Sequence, residues 1–307
     1  MTSKNWISLA RSPRRLTLVG GVILGLVAMG VGAKAQGSNL FGGADVGVNQ
    51  AVSAGLSQPG GDAVTHEGVT IRITGVVADD IRTVVGLAIE GRNELGEGAF
   101  PAGQAQLVDQ DGRIYREVSG SADQQNPRLV TRYYPPLDRA ARSVRLEING
   151  LAFVHRSDRI RRTVDAQWTV SFTLSSPPQQ SIAVSVDDAP QPLGAGSIVI
   201  DSVKQGASGT AMTAHLVGFS VDAVPELGLR AELVDGAGNR FPVTGMRLGF
   251  GANRELVEMQ FPRLTGAVVL EVVGLTAPNP HAESIAKALS DDLAKTPPAR
   301  WQLALPG

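Results

Sequence analysis

The chain contains no cysteine. Disulfide bonds, thiolate nucleophiles and thiolate metal sites are therefore excluded. Histidine is scarce: His66, His155, His215 and His281 are the only four, far apart, with no H-x-x-x-H or H-E-x-x-H pair. Local zinc-ligand spacing is thus absent, and the four are expected to be isolated surface side chains. There is no G-x-S-x-G elbow and no Walker lysine, and Gly249-Phe250-Gly251 lacks the third glycine of a nucleotide fingerprint. No cofactor and no metal are expected, and the chain is not read as an enzyme. Acidic residues are missing from the N-terminus, where the first is Asp45.

That N-terminus points to export. Lys4, Arg11, Arg14 and Arg15 precede an apolar run, Leu16 to Gly32, and Ala33-Lys34-Ala35 follows as a small-x-small pattern. The expected order is a basic cytoplasmic tail at 1–15, then a transmembrane anchor or signal segment at 16–33. The positive-inside tendency keeps the N-terminus in the cytoplasm and places the rest outside. Cleavage near Ala35, giving a secreted protein, is the alternative. Arg14-Arg15 also matches part of a twin-arginine signal, and Gly21-x-x-x-Gly25 matches a helix-dimer motif. Five of the 28 basic residues lie in this leader, leaving 23 against 29 acidic ones in the body. An acidic exported body carries no electrostatic footprint for nucleic acid.

What the chain has is a repeat. Ile71, Ile73, Val76, Thr83, Val85, Leu87 and Ile89 match Ile198, Ile200, Val203, Thr210, Met212, Ala214 and Leu216 at an offset of 127. Ala105, Leu107, Val108, Asp109 and Gly112 match Ala231, Leu233, Val234, Asp235 and Gly238 at 126. Leu129, Val130, Tyr134 and Pro135 match Leu256, Val257, Phe261 and Pro262 at 127, and Val144, Leu146 and Glu147 match Val268, Leu270 and Glu271 at 124. Trp168 and Trp301 close the two copies as expected core residues. Self-similarity over one such period marks a duplicated unit.

The matched blocks alternate with period two, and Asp/Gly-rich turns separate them, which is the pattern of antiparallel strands and hairpins. The predicted fold is all-β: two tandem antiparallel β-sandwich domains, immunoglobulin-like, after the N-terminal membrane segment. Residues 36–61, rich in glycine, are expected to be a flexible linker, with Val46–Val48 and Val52 a possible first strand. Domain 1 then spans 62–174, a stiff proline linker 175–180, and domain 2 181–307. One short helix is expected in domain 2, from Asn279-Pro280 to Lys295, carrying Ile285, Leu289 and Leu293 on one face.

Features present in both copies are expected to be scaffold. Asp109-x-Asp111-Gly112 resembles the start of a calcium loop but lacks the glutamate at position 12, and its counterpart keeps only the turn. Asp79-Asp80 and Asp187-Asp188 sit at turns and are expected to be solvated. Tyr134 aligns with Phe261 and is placed in the core. Its neighbour Tyr133 aligns with Gln260 and is expected to face outward, next to Arg132. With the basic run Arg156, Arg159, Arg161 and Arg162, these two form the candidate interaction surface.

Val48-Asn49-Gln50-Ala51-Val52, Glu67-Gly68-Val69-Thr70-Ile71-Arg72-Ile73 and Asp80-Ile81-Arg82-Thr83-Val84-Val85 resemble the N-terminal ectodomain module of bacillus-type membrane-anchored, anti-sigma-factor-like regulators. The second copy resembles the immunoglobulin-like domain of unknown function that commonly follows that module. The resemblance implies an extracytoplasmic sensory or interaction module with no catalytic residues. Met1–Arg15 is too short for the cytoplasmic sigma-binding domain such regulators carry, so direct sigma-factor binding is not expected. The expected partner is an unknown protein or cell-envelope component. A wall-, glycan- or protein-binding surface protein is the alternative. A third reading is a hydrolase whose site is assembled across the interface between the halves.

Overall fold

The computed structural model describes residues 40–306 except 92–99, 102–103, 155–160, 195, 219–227, 249–255 and 277–296. The apolar run at 16–33 and the helix expected after Asn279 lie outside the described residues. Within them no helix is long and apolar enough to cross a membrane.

The fold is all-β with antiparallel sheets. The first half contains β1 (Gln58–Pro59), β2 (Ala63–His66), β3 (Val69–Ala78), β4 (Thr83–Gly91), β5 (Phe100–Pro101), β6 (Gln104–Asp109), β7 (Ile114–Arg116), β8 (Ser119–Ala122), β9 (Leu129–Tyr134), β10 (Ser143–Val154) and β11 (Arg161–Thr173). The second contains β12 (Ile182–Val184), β13 (Gln191–Leu193), β14 (Gly196–Gln205), β15 (Thr210–Val217), β16 (Gly228–Asp235), β17 (Arg240–Pro242), β18 (Gly245–Leu248), β19 (Leu256–Phe261), β20 (Gly266–Thr276) and β21 (Ala299–Leu305).

The sequence offsets reappear as strand order. The first half pairs β1-β3-β4-β9-β8 in one sheet and β11-β10-β6-β7 in the other. The second pairs β12-β14-β15-β19-β18 and β21-β20-β16-β17. Registers match as well: Thr83 lies opposite Tyr134 as Thr210 lies opposite Phe261, and Leu146 opposite Leu107 as Leu270 opposite Leu233. In each half the alternating apolar residues of both sheets close on one core, around Trp168 in the first and Trp301 in the second. This is sandwich-like packing, with each sheet giving one apolar face to a shared interior.

Within the expected linker at 36–61, residues 40–61 depart from expectation. Val46–Ser53 is an α-helix, not a strand, and from Leu40 onward the chain is packed rather than a free linker. Asp45 caps the helix by accepting from the Val48 amide at 3.0 Å, which satisfies one of the donors that open every helix. Val48, Ala51 and Val52 fall on one helical face and cover Val77 and Val84, which point away from the sandwich core. The preceding residues run across the same sheet: Thr74 Oγ1 donates to Leu40 O, Thr131 Oγ1 to Gly42 O and Ser121 Oγ to Gly43 O. Glycine makes the approach possible, since a Cβ at Gly86 would sit 2.1 Å from the Leu40 carbonyl oxygen. The first half therefore has a third layer that the described part of the second half lacks.

Candidate functional site

Two of the six residues predicted to form an exposed patch, Arg132 and Tyr133, are covered by the protein. Arg132 is buried, 7% exposed, and its guanidinium donates to Glu117 Oε1 at 2.6 Å. Tyr133 does point away from the sandwich core, but it is half-buried beneath the N-terminal layer, and its hydroxyl accepts the Asp45 amide at 3.1 Å. Burial, and secondarily the Asp45 charge, raise the phenol's pKa. Arg156 and Arg159 lie outside the described residues. Arg161 and Arg162 belong to β11, opposite Val154 and Phe153.

Tyr133 leads to a joint between the halves. The ring packs against the Arg82 guanidinium, 5.3 Å from carbon to ring centroid. Arg82 is 4% exposed and makes five hydrogen bonds. Nε donates to Ser208 Oγ at 3.2 Å; one terminal nitrogen donates to Asp45 Oδ2 (2.6 Å) and Gln260 Oε1 (3.1 Å); the other donates to Asp45 Oδ1 (3.0 Å) and Ser208 O (2.8 Å). A guanidinium has five N–H donors, so each is used. The two bonds to Asp45 form the bidentate fork that makes Arg–carboxylate pairs strong.

Asp79 completes the joint, and here expectation fails. It is fully buried, not solvated. Oδ1 accepts the amides of Ile81 (2.9 Å) and Arg82 (3.0 Å), which is the local turn chemistry expected of it. Oδ2 accepts the Ser208 amide from the other half at 2.7 Å. Asp80 is the outward member of the pair: it takes Arg139 at 2.7 Å and the Ser181 amide at 3.2 Å. The Arg139 hydrogen bond chiefly, then Ser181, hold its carboxyl below the usual range against the opposing effect of burial.

The partners are equivalent elements. Residues 79–82 join β3 to β4, and 206–209 join β14 to β15, at the repeat offset of 127. Both turns close with the same bond, Asp79 N to Arg82 O and Gly206 N to Gly209 O. One turn is charged, the other small. A Cβ on Gly206 would stand 2.8 Å from Asp79 Oδ2. The helix wedges in beside them: a Cβ on Gly47 would meet Ser208 O at 2.0 Å, and Gln50 Oε1 accepts the Arg263 amide. The linker is pinned to the same turn, with Asp80 N donating to Gln179 O and Gln179 N to Ala78 O.

The joint binds structure to structure: the five Arg82 donors and both Asp79 oxygens are taken by other groups of the chain. Among the described residues no group of three histidines or carboxylates is placed to hold a metal. The Asp109 turn is scaffold: Oδ1 accepts the amides of Asp111 and Arg113, just as Asp235 accepts those of Ala237 and Asn239.

No protein-family profile matches the chain, and no curated protein does. Among solved structures, it is similar to a conserved domain protein from Bacillus anthracis, with TM-score 0.54 and 14% identity over 71% of this chain and 77% of that one. That likeness concerns the fold. A marsupial T cell receptor aligns at TM-score 0.19 and 10% identity, covering 69% and 60% of the two chains, and carries no argument.

Proposed function

We propose that the protein is a non-catalytic extracytoplasmic sensory and interaction module, two immunoglobulin-like halves tethered through the apolar run at 16–33 and directed at a protein or cell-envelope partner. The observation that supports this is the position of Arg82. Its guanidinium holds Asp45 of the N-terminal layer and Ser208 of the second half at once. The segment that leads back toward the apolar run is therefore the segment that closes the joint. A partner that favours another mutual orientation of the halves has to work against the Asp45 contact, and by linkage releasing Asp45 changes affinity for that partner. The resemblance to anti-sigma-like ectodomains agrees with such a role. The wall- or glycan-binding alternative draws less support, since Arg132 is buried and Tyr133 half-buried.

Because the chain has no native cysteine, spin labels attach only where cysteines are introduced. Labels at Val118→Cys and Val217→Cys, both exposed positions, one in each half, report their separation by pulsed electron resonance. Asp45→Ala is expected to broaden a narrow distance distribution. An unchanged distribution overturns the coupling. Protease protection of spheroplasts tests topology: both halves should be cleaved from outside, and protection of either rejects the extracytoplasmic placement.

A further inference from the structure

We propose that a cleft on the first half, walled by Gln106, Arg116, Glu117, Val118 and Glu147, binds the guanidinium or ammonium group of a small ligand. The cleft measures about 490 Å³, within the usual range for small-molecule sites. It is separate from the joint and does not depend on the sensory reading.

The argument rests on comparing the two halves at one place. In the first, β10, β6 and β7 set Glu147, Gln106 and Arg116 in a cross-strand row. In the second, β20, β16 and β17 set Glu271, Glu232 and Pro242 in the same row. There the carboxylates are covered by the half's own arginines. Arg240 reaches Glu232 at 2.8 Å and Glu271 at 3.0 Å, Arg300 reaches Glu271 at 2.9 Å, and Arg230 lies 3.6 Å from Glu232. Glu271 is left 6% exposed.

The first half has none of these arginines. Arg240 lies opposite Val234 in register, and the equivalent residue opposite Val108 is Ile114. Arg300 lies opposite Glu271, and the residue opposite Glu147 is Thr169. Arg230 precedes Ala231 as Gln104 precedes Ala105. Glu147 keeps the Gln106 amide at 3.0 Å and a looser Arg145 guanidinium at 3.6 Å. Where the second half fills the row with its own guanidinium groups, the first keeps one carboxylate of that row, Glu147, in a cleft that Glu117 also walls. The second half thus displays the chemistry that fits.

A second observation comes from Glu117. Its amide donates to Ala105 O as that of Val243 donates to Ala231 O, so the two are equivalent. Arg132 and Tyr134 correspondingly align with Met259 and Phe261, both fully buried. The same scaffold position therefore packs as Val–Met–Phe without any charge. Since a buried ion pair is commonly no more stable than an apolar replacement, folding alone does not call for the Glu117–Arg132 pair. Glu117 Oε1 is taken by Arg132, while Oε2 is buried with no hydrogen-bond partner among the described residues, on a residue that walls the cleft. A buried bare acceptor wants a donor, and a cationic ligand supplies one. Arg116, the exposed cation on the wall, makes no ion pair among the described residues.

The test is calorimetric titration of the full chain with argininamide, against citrullinamide, whose neutral urea replaces the guanidinium, both Nα-acetylated so that no ammonium group remains. Argininamide should bind and citrullinamide should not, and Glu147→Gln should weaken binding by about tenfold or more. Ile114→Arg restores the covering arginine of the second half at a position 56% exposed, so it should abolish binding while the melting temperature holds. Absence of saturable argininamide binding, equal binding of the two amides, or undiminished binding by folded Ile114→Arg overturns the proposal.

Discussion

The Asp79 carboxylate accepts the Ser208 amide at 2.7 Å, across 129 positions of sequence and from one hairpin turn to its repeat-equivalent. Both residues are fully buried. With the two amides of its own turn, the carboxylate satisfies three backbone donors, two from one half and one from the other. Losing a buried acceptor leaves each donor unmet at about 1–3 kcal/mol. Asp79→Ala is therefore expected to cost about 2–4 kcal/mol in urea denaturation. Gly47→Val attacks the same joint from the helix side, by driving a side chain into Ser208 O, the acceptor of an Arg82 hydrogen bond. It should raise amide exchange at Ser208 and Asp80 while both cores stay protected. Protection unchanged at Ser208 would mean the joint is not held as described.

The N-terminal layer is structural, which changes where the first half begins. A fragment starting at residue 62 exposes Val77, Val84 and Tyr133. Residues 40–176 should fold as a monomer, whereas 62–176 should aggregate or show an earlier melting transition. Equal stability of the two fragments would reduce the layer to an ornament. The described part of 180–307 has no such cover to lose, and this fragment should fold alone.

The two tryptophans separate packing from hydrogen bonding. Trp168 Nε1 donates to Val69 O at 3.0 Å, while Trp301 Nε1 is buried without a partner among the described residues. Replacing either with alanine should cost about 3–5 kcal/mol. Replacing each with phenylalanine should distinguish them, because Trp168→Phe strands a carbonyl and Trp301→Phe removes a stranded donor. The phenylalanine variant at 168 should be the less stable by about 1–2 kcal/mol. Chemical denaturation of each variant measures it.

Acid should act on the joint through Asp80. Its folded pKa lies below the ordinary 3.8, so the ionised form favours the folded state. That contribution is complete above the unfolded value and is lost as pH falls through the folded one. Asp80→Asn keeps an acceptor for Ser181 but loses the Arg139 ion pair. The gap in urea midpoint between wild type and variant should be constant above about pH 5 and close below 3.8. A gap independent of pH would exclude the ion pair as its source. Glu117 has the opposite sign: burial raises its pKa, so its contribution is complete in acid and is lost as pH rises through the folded value.

Strand positions and core were legible because burial imposes a period of two and the repeat imposes it twice. The joint was written at the same offset but in unlike residues. Asp79 stands where the second copy has Gly206, and Arg82 where it has Gly209. A rule that treats shared features as scaffold marks such differences without saying whether water or protein meets them. The N-terminal layer also left a trace: Val77, Val84 and Tyr133 align with Lys204, Ala211 and Gln260. Apolar residues on an outward face announce a cover. The covering residues, though, sit in a glycine-rich stretch whose helix is short and whose N-cap is Asp45. Glu117 escaped notice because it falls between matched blocks, where the offset changes from 126 to 127 and only the backbone hydrogen bonds restore the correspondence.

Contact between equivalent turns is what a two-fold axis would produce in a pair of identical halves. Covalent linkage has removed that symmetry. One turn presents Asp79, Asp80 and Arg82, and the other Gly206, Ala207, Ser208 and Gly209. Two charged turns brought together would set guanidinium against guanidinium and carboxylate against carboxylate. Two small turns would leave a gap with no side chain to fill it. Each half therefore presents at this surface a turn matched to the other half and mismatched to a copy of itself.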